Sequence, residues 1–513
     1  MPDKSRSPAP PGKKVNDHKL TPKAPPAGQD LDVPPDLATD QETTRYLSAA
    51  TQLNVEYARN VIKEVVGEKF RALAPTYGID IPVVAMWAIR SMSIRARRDY
   101  LLAGLLTIIV ACLALTPMSL WLLAIAALAA MAAWLVVAWE HWERVHNVVI
   151  RTMLRNRFKL ANAPEPPRAA DRERLAEIRR RRDGNLVVFS GPSAFVGCGK
   201  TVWSQRLLLD ASRGPDDDNG QPTVPQPFST RDLHAALIEA FDHGAGLGQS
   251  LQNIKVYERL FVNGQHIQNN HQLLPDPYRP PPTSVSQGLL DEATTHPSPE
   301  ARTYVCVEMP GWQGQLVVTL FVRAVHAGGS LFVEWTFKVL PPLRQSFLMI
   351  DRFYDQSRAQ QLKNSLGRGL CTMPGALLKS PYWAVKTSRA ARVARNRALR
   401  QSGQIRRGFI FDYGARRSIR ETASARGKQG EHYFLARDQA MYLLLAEKTL
   451  TRTVGAFLKD HGVSLAEFES QIKVIFDNSI KVGNIDGSGV VVGHQSSSTV
   501  NDSAKGQRDA KPG

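Results

Sequence analysis

The chain has 513 residues, of which 43% are apolar and 22% are charged, so it is long enough for several compact units and too apolar to be disordered throughout. Its 65 lysines and arginines exceed its 47 aspartates and glutamates, and the net charge of +18 favours anionic partners such as lipid headgroups, phosphates or nucleic acid. The four cysteines are widely spaced without a C-x-x-C pair, which argues against a zinc knuckle or a disulfide framework and indicates a reducing compartment.

The N-terminal part is predicted to be cytosolic. Residues 1–40 are rich in proline and lysine and lack the apolar core of a signal peptide, so we predict a disordered tail. Residues 41–99 are predicted to form cytosolic helices, beginning after the capping box Thr39-Asp40-Gln41-Glu42. A second helix over 79–98 is expected to run up to a membrane.

An uncharged apolar stretch over 101–139 decides the class of protein. A single helix of this length would span about 58 Å, roughly twice the hydrocarbon thickness of about 30 Å, so the stretch must turn. Pro117 provides the break. We predict a transmembrane hairpin over 100–139 with spans at 100–115 and 120–139. No Asp, Glu, Lys, Arg or His lies within the spans, which disfavours a channel or transporter.

Basic residues lie on both sides of the hairpin. The positive-inside rule therefore places both chain ends in the cytoplasm of a multi-pass plasma-membrane protein. The basic residues are Arg90, Arg95, Arg97, Arg98, Arg144, Arg151, Arg155, Arg157 and Lys159. Gly104 and Ala133 are among the small residues that predict close packing within the hairpin, with a homo-oligomer interface as the alternative.

The soluble part is predicted to follow in chain order. Residues 140–184 form basic juxtamembrane helices, and 185–355 form an α/β cytosolic domain. In this domain we predict a strand at 186–189, a hairpin joining 256–262 to 265–268 through Asn263-Gly264, and a three-strand meander over 303–309, 315–325 and 330–340. A basic helical segment (356–480), a Gly/Val β-ribbon (481–500) and a disordered tail (501–513) complete the chain.

The predicted fold class is thus an α+β membrane protein. It combines a two-helix transmembrane hairpin with a mixed, largely antiparallel sheet in the cytosolic domain and a helical C-terminal segment. Such a class says where the chain lies and does not identify a reaction.

One glycine-rich run resembles a phosphate-binding loop. Gly197, Gly199, Lys200 and Thr201 follow the strand at 186–189 and precede a predicted helix over 202–210. Consecutive amides and a helix N-terminus bind phosphate in such loops, while the lysine and threonine serve the phosphate and Mg²⁺. ATP or GTP with Mg²⁺ would be the cofactor. The motif departs from the pattern, because Ala194 stands where the first glycine is expected.

A second Mg²⁺ ligand is poorly defined by the sequence. Asp351 follows the apolar run Phe347-Leu348-Met349-Ile350 and is the best candidate. Arg352 occupies the place where an ATPase usually carries a glutamate base. The alternative is a glycine-rich turn without a catalytic role, and phosphate binding without hydrolysis lies between the two.

A basic run over 379–428 favours contact with anionic lipid headgroups, with a solvated helix face as the alternative. Nucleic acid is disfavoured, because the run lacks the spaced aromatic residues of a stacking platform. The basic residues are Lys379, Lys386, Arg389, Arg392, Arg395, Arg397, Arg400, Arg406, Arg407, Arg416, Arg417, Arg420, Arg426 and Lys428.

Several motifs together resemble an uncharacterised family of actinobacterial membrane proteins. They are Ala74-Pro75-Thr76-Tyr77-Gly78-Ile79-Asp80, Phe189-Ser190-Gly191 with Phe195-Val196-Gly197-Cys198-Gly199, Phe411-Asp412-Tyr413-Gly414-Ala415, Ser418-Ile419-Arg420-Glu421 and the terminal Gly-Val ribbon. The resemblance implies the same hairpin and a degenerate P-loop-like element that need not be followed by Lys-Thr. It implies no established activity.

Two hypotheses follow from the sequence. The first is a non-enzymatic, membrane-anchored cytosolic scaffold or sensor that contacts anionic lipid. The rival is a membrane-bound nucleotide-dependent enzyme or switch that uses Lys200 and Thr201.

Overall fold

A computed structural model describes residues 35–115, 119–180, 184–218, 221–243, 254–353, 357–425 and 433–483. The Pro117 turn, the 501–513 tail, most of the 1–40 tail and most of the 481–500 ribbon lie outside these residues. Where the described ranges overlap those predictions, the chain is helical. The first helix, α1, spans Pro35–Leu53, and the last, α11, spans Ala466–Gly483.

The helical base of the molecule is formed by α1, α2 (Val55–Ile62) and the first half of α3 (Ile81–Leu115). The Asn54 side chain caps α2, and the Asp80 carboxylate accepts a hydrogen bond from the amide of Val83 at the start of α3. The predicted helix over 79–98 and the first predicted span therefore belong to one helix of 35 residues.

The apolar hairpin consists of α3 and α4 (Trp121–Trp142), and α4 continues as a π-helix over Glu143–Ile150. Leu102, Ala133 and Val137 are buried where the two helices meet. Both helices are long and apolar enough to cross a membrane. Beyond Tyr100 their outer faces are apolar and exposed, with Trp121 at 81% exposure.

Six strands form one mixed sheet in the order β1-β3-β4-β5-β6-β2. The pairs β3–β4, β4–β5, β5–β6 and β6–β2 are antiparallel, and only the β1–β3 pair of this sheet is parallel. The strands are β1 (Leu186–Phe189), β2 (Lys200–Asp210), β3 (Lys255–Asn263), β4 (Ala301–Gly311), β5 (Leu316–Ala327) and β6 (Ser330–Leu340).

The structure confirms the meander as β4, β5 and β6. Buried and half-buried residues alternate along β6, whereas β4 and β5 are buried on both faces over most of their length. The predicted hairpin at Asn263-Gly264 is wrong, because β3 pairs with β1 and β4 and residues 265–268 form no strand. The backbone of Gly264 instead donates to the carbonyl of Phe189 and accepts from the amide of Tyr413. The amide and carbonyl of Gly264 are thus hydrogen-bonded to distant backbone groups and not to the other strand of a local hairpin.

Helices cover the sheet on one side. Leu237 of α6 (Thr230–Asp242), Leu450 of α10 (Tyr433–Asp460) and Phe468 of α11 pack with Trp335 of β6 in the largest core cluster. A short α7 (Gln287–Thr295) contributes Leu290 to a separate core at the β1–β3 edge. The opposite face carries Cys306 and Phe321 and is covered by the loop that follows β1.

The longest helix, α8 (Arg358–Arg406), lies across the base of the hairpin. The indole N–H of Trp134 donates to the carbonyl of Leu366 at 3.0 Å. A Cβ on Gly369 would lie 3.0 Å from the Cβ of Ala138, so glycine allows the two helices to approach closely. With α9 (Ile419–Ala423), α10 and α11, this helix makes up the helical C-terminal segment.

Candidate functional site

The glycine-rich loop over 190–199 connects β1 to β2. The helix predicted over 202–210 is wrong, because these residues belong to β2, which pairs with β6 along its length. Trp203, Leu207 and Leu209 are buried at a spacing of two or four residues, and this alternation was the signal for a strand. The loop therefore has no helix N-terminus behind it to face a phosphate.

Gly197 is buried and already has a negatively charged partner. Its backbone amide donates to the Glu421 carboxylate at 3.2 Å, so the protein itself supplies an anion at this amide. Its φ of +92° is a left-handed conformation that favours glycine. A Cβ at this position would lie 2.6 Å from the carbonyl oxygen of Pro75 and 3.2 Å from the Cβ of Ser418.

The other three residues of the predicted loop have different surroundings. A Cβ on Gly199 would lie 2.1 Å from the carbonyl oxygen of Val339, so glycine allows the backbone to approach β6 closely just before β2 begins. Lys200 and Thr201 are exposed at the start of the edge strand β2, opposite Val339 and Lys338. The four residues are adjacent along the chain without forming a cradle of amides.

Asp351 is engaged elsewhere. It lies on the 3₁₀ helix Gln345–Phe353, and its two carboxylate oxygens accept hydrogen bonds from the Arg45 guanidinium at 3.1 Å and the Tyr46 hydroxyl at 2.6 Å. The carboxylate thus ties this 3₁₀ helix to α1. No described contact links Asp351 to Lys200 or Thr201.

Apart from the terminal Gly-Val ribbon, most of which lies outside the described residues, the segments that carry the family resemblance meet at one place. We call this place the junction and define it as residues 71–80, 190–199 and 411–421. Ser190 donates to the carboxylate of Asp412, which also pairs with Arg71 at 3.4 Å. The carbonyl of Tyr413 accepts from the amide of Ala72 at 2.7 Å. Sequence reasoning identified these motifs without bringing them together, because they are separated by hundreds of residues.

The interior of the junction is polar and buried. The Cys198 thiol donates to the Tyr77 hydroxyl at 3.0 Å, and burial raises the pKa of this thiol to about 12. Burial raises the pKa of Glu421 and lowers the pKa of Lys338, while the mutual attraction of these two groups opposes both shifts. Cys198 is consequently a poor nucleophile, since the thiolate is the reactive form.

A cavity of about 120 Å³ opens beside the junction, between residues 72–82, α5 (Ala169–Arg180) and β1. Leu73, Ile178 and Val187 give it apolar walls. The Nε of Arg259 donates to the carbonyl of Gly184, whereas its buried Nη1 has no hydrogen-bond partner. An engineered apolar cavity of about 150 Å³ binds benzene, so a space of about 120 Å³ has at most the size of one small ring.

Comparison with known proteins gives the chain a family. A family model described as the AbeC-like domain matches residues 202–494, more than half of the 513 residues. The chain belongs to the AbeC-like domain family. No curated protein and no solved structure matches the chain significantly.

The AbeC-like region begins in β2 and extends past α11, so it contains the meander, α8 and Glu421. The hairpin, residues 71–80 and the loop over 190–199 precede it. At the junction, the AbeC-like region therefore contacts two segments from outside its bounds, residues 71–80 through Arg71–Asp412 and the loop over 190–199 through Gly197–Glu421. The description of the family names no activity.

Proposed function

We propose that the chain is a membrane-anchored cytosolic scaffold or sensor that contacts anionic lipid at the inner face of the plasma membrane. The apolar exterior of α3 and α4 carries this proposal, because an exposed surface of this extent is unfavourable in water. The exposed side chains include Leu101, Ile108, Val110, Leu113, Leu115, Leu120, Trp121, Leu123, Ile125, Leu128, Met131, Leu135 and Trp139.

Charged residues at the base of the hairpin support a membrane boundary there. Asp99 of α3 pairs with Arg98 at 2.6 Å, and Glu140 of α4 pairs with Arg144 one turn later. These carboxylates stand immediately before and after the uncharged stretch. Because a charge is costly within hydrocarbon, the boundary would lie at these pairs and both chain ends on one side of the membrane.

The first half of α8 supports lipid contact. Leu362, Leu370, Leu378 and Tyr382 are exposed apolar side chains of this part of the helix, with Leu378 at 72% exposure. They lie on a helix that already packs on α3 and α4, so the same lipid would cover them.

The second half of α8 carries an exposed basic surface. Its basic residues, with those of the following segment, are Lys379, Lys386, Arg389, Arg392, Arg395, Arg397, Arg400, Arg406, Arg407, Arg416 and Arg417. Each basic residue near an anionic leaflet contributes about 1 kcal/mol to membrane binding. Arg420 does not belong to this surface: it is fully buried and donates to the carbonyls of Gln315 and Pro341. Arg426 and Lys428 lie outside the described residues.

Extraction and labelling test the proposal. Membranes from expressing cells are treated with alkaline carbonate, and single cysteines are introduced as Ser5→Cys, Ser119→Cys or Ser503→Cys in a chain whose native cysteines are replaced by serine. We expect the chain to resist extraction. A membrane-impermeant maleimide should reach position 119 in intact cells, and positions 5 and 503 only after permeabilisation. Release by carbonate, or labelling of the two tails from opposite sides, would contradict the proposal.

A further inference from the structure

A cavity of about 290 Å³ lies at the base of the hairpin between α2, α3 and α8. Arg59 of α2, Arg95 and Arg98 of α3, and Trp383 of α8 line it. The uncharged stretch begins at Leu101 of α3, two residues after Asp99. The cavity therefore lies where the hairpin changes from polar to apolar.

Two of the arginines that line this cavity have no carboxylate partner among the described residues. Arg95 is only 6% exposed; it donates through Nη2 to the carbonyl of Gln52 at 2.7 Å, and its buried Nε has no hydrogen-bond partner. The guanidinium of Arg59 lies 3.9 Å from the centre of the Trp383 ring, a cation–π contact that supplies no negative charge to it.

The acidic groups around the cavity are committed to other arginines. Asp99 pairs with Arg98 at 2.6 Å, and Glu140 pairs with both Arg98 and Arg144. The charged residues that line the cavity are thus three arginines and one aspartate, an excess of two positive charges in a partly buried space. The ammonium of Lys386 lies 4.7 Å from the same Trp383 ring and adds a further positive charge at the rim.

Uncompensated buried charges are costly, and an anion that enters the cavity removes much of this cost. The planar guanidinium group matches the geometry of phosphate oxygens and binds them through paired hydrogen bonds. A phosphate group carries one or two negative charges, which equals the excess.

We propose that this cavity binds a phosphate group, with Arg59 and Arg95 as its principal ligands. A membrane boundary at Asp99 would place the headgroup phosphate of an inner-leaflet anionic lipid at the depth of the cavity. This source of the phosphate rests on the function proposed above, whereas the phosphate chemistry itself does not. Free phosphate from the cytosol is the other source of the same group.

The test measures binding to the full-length chain purified in neutral detergent. The two probes are dioleoyl phosphatidylglycerol, followed by native mass spectrometry, and inorganic phosphate, followed by calorimetry. Arg59→Gln removes one ligand of the cavity. The matched control is Arg97→Gln, which removes the same charge from an exposed side chain of α3 that does not line the cavity.

We expect Arg59→Gln to weaken the binding of at least one probe about tenfold, as expected for the loss of a charge-assisted hydrogen bond, and Arg97→Gln to leave it unchanged. Arg59→Lys keeps the charge without the planar group and should give an intermediate loss. Competition on the wild-type chain adds a measurement that needs no substitution: inorganic phosphate should displace the lipid if both occupy the cavity.

The outcomes separate the two sources. Selective loss of the lipid assigns a headgroup, and selective loss of inorganic phosphate assigns a free ligand. Equal effects of Arg59→Gln and Arg97→Gln on both probes would overturn the proposal. If carbonate releases the chain but the chain still binds phosphate through Arg59, only the membrane anchor is refuted. If the chain stays in the membrane but binds neither probe, only phosphate binding in the cavity is refuted.

Discussion

The amide of Gly197 donates a hydrogen bond to the carboxylate of Glu421 at 3.2 Å, across 224 residues of sequence. This contact joins the glycine-rich loop to α9, within the AbeC-like region. A glutamate side chain supplies the negative charge that a phosphate would bring to such an amide. Gly197 therefore serves the packing of the junction.

We expect no magnesium-dependent nucleotide binding by the purified chain, because the loop leads into a strand and the amide of Gly197 is occupied. Titration with ATP and with GTP, in the presence of Mg²⁺, checks this for the wild-type chain and for Lys200→Ala. Saturable binding that disappears in Lys200→Ala would restore the rival hypothesis. Thr201→Ala provides a second variant at the exposed start of β2.

Gly197→Ala should destabilise the fold more than Gly191→Ala. Both glycines have φ near +90°, so each alanine incurs a left-handed backbone cost of about 1–2 kcal/mol. Only at Gly197 does the added Cβ also collide with Pro75, since nothing lies within 4 Å of the Cβ at Gly191. Unfolding by urea, followed by tryptophan fluorescence, measures the difference. Equal losses would mean that the Pro75 contact adjusts without cost.

Gly369→Leu should weaken the packing of α8 on the hairpin, whereas Gly367→Leu should not. The side chain at 369 would press on Ala138 and cost about 1–3 kcal/mol in the free energy of unfolding. The side chain at 367 points into open space, and replacing glycine within a helix gains up to about 1 kcal/mol. Thermal unfolding in detergent should therefore shift in opposite directions for the two variants.

Glu447 on α10 should make stability depend on pH. It is 2% exposed and accepts hydrogen bonds from the indoles of Trp203 at 2.9 Å and Trp335 at 3.3 Å, and burial raises its pKa. A raised pKa in the folded state means that the folded chain binds the proton more tightly. The contribution of Glu447 to the free energy of unfolding is therefore fully present below its pKa in the unfolded chain. It is lost as the pH rises through its pKa in the folded chain.

Two substitutions separate the charge of Glu447 from its hydrogen bonds. Glu447→Gln keeps an acceptor for the indoles and should abolish this part of the pH dependence. Glu447→Leu leaves the indole N–H groups without an acceptor and should cost about 1–3 kcal/mol for each. Urea unfolding between pH 4 and pH 8 distinguishes them. An unchanged pH profile in Glu447→Gln would assign the dependence to other groups.

Benzoate should raise the unfolding temperature of the wild-type chain by binding in the cavity beside Arg259. Leu73, Ile178 and Val187 of the cavity lining would contact its ring, and the positive charge of Arg259 on the same lining would attract its carboxylate. A ligand at one hundred times its Kd stabilises a fold by about 2.7 kcal/mol. Benzyl alcohol tests the ring without the charge, and Arg259→Gln should remove the response to benzoate. A response that survives this substitution would locate the binding elsewhere.

The sequence by itself determined the elements whose signals are local. The uncharged stretch over 101–139 was sufficient to indicate two long apolar helices, because helix length and hydropathy depend on neighbouring residues. The meander was likewise readable, from the alternating apolar residues of β6 and from the Gly-containing turns that join its three strands. These features require no knowledge of distant partners.

Only the tertiary structure decided the rest. The segment after Lys200 is a strand because it pairs with the edge of β6. Arg420 can be buried because carbonyls from two other segments accept hydrogen bonds from its guanidinium. The partners of Gly197, Arg59 and Asp351 are likewise remote in sequence. Their contacts arise from chain packing, which local periodicity and motif spacing do not encode.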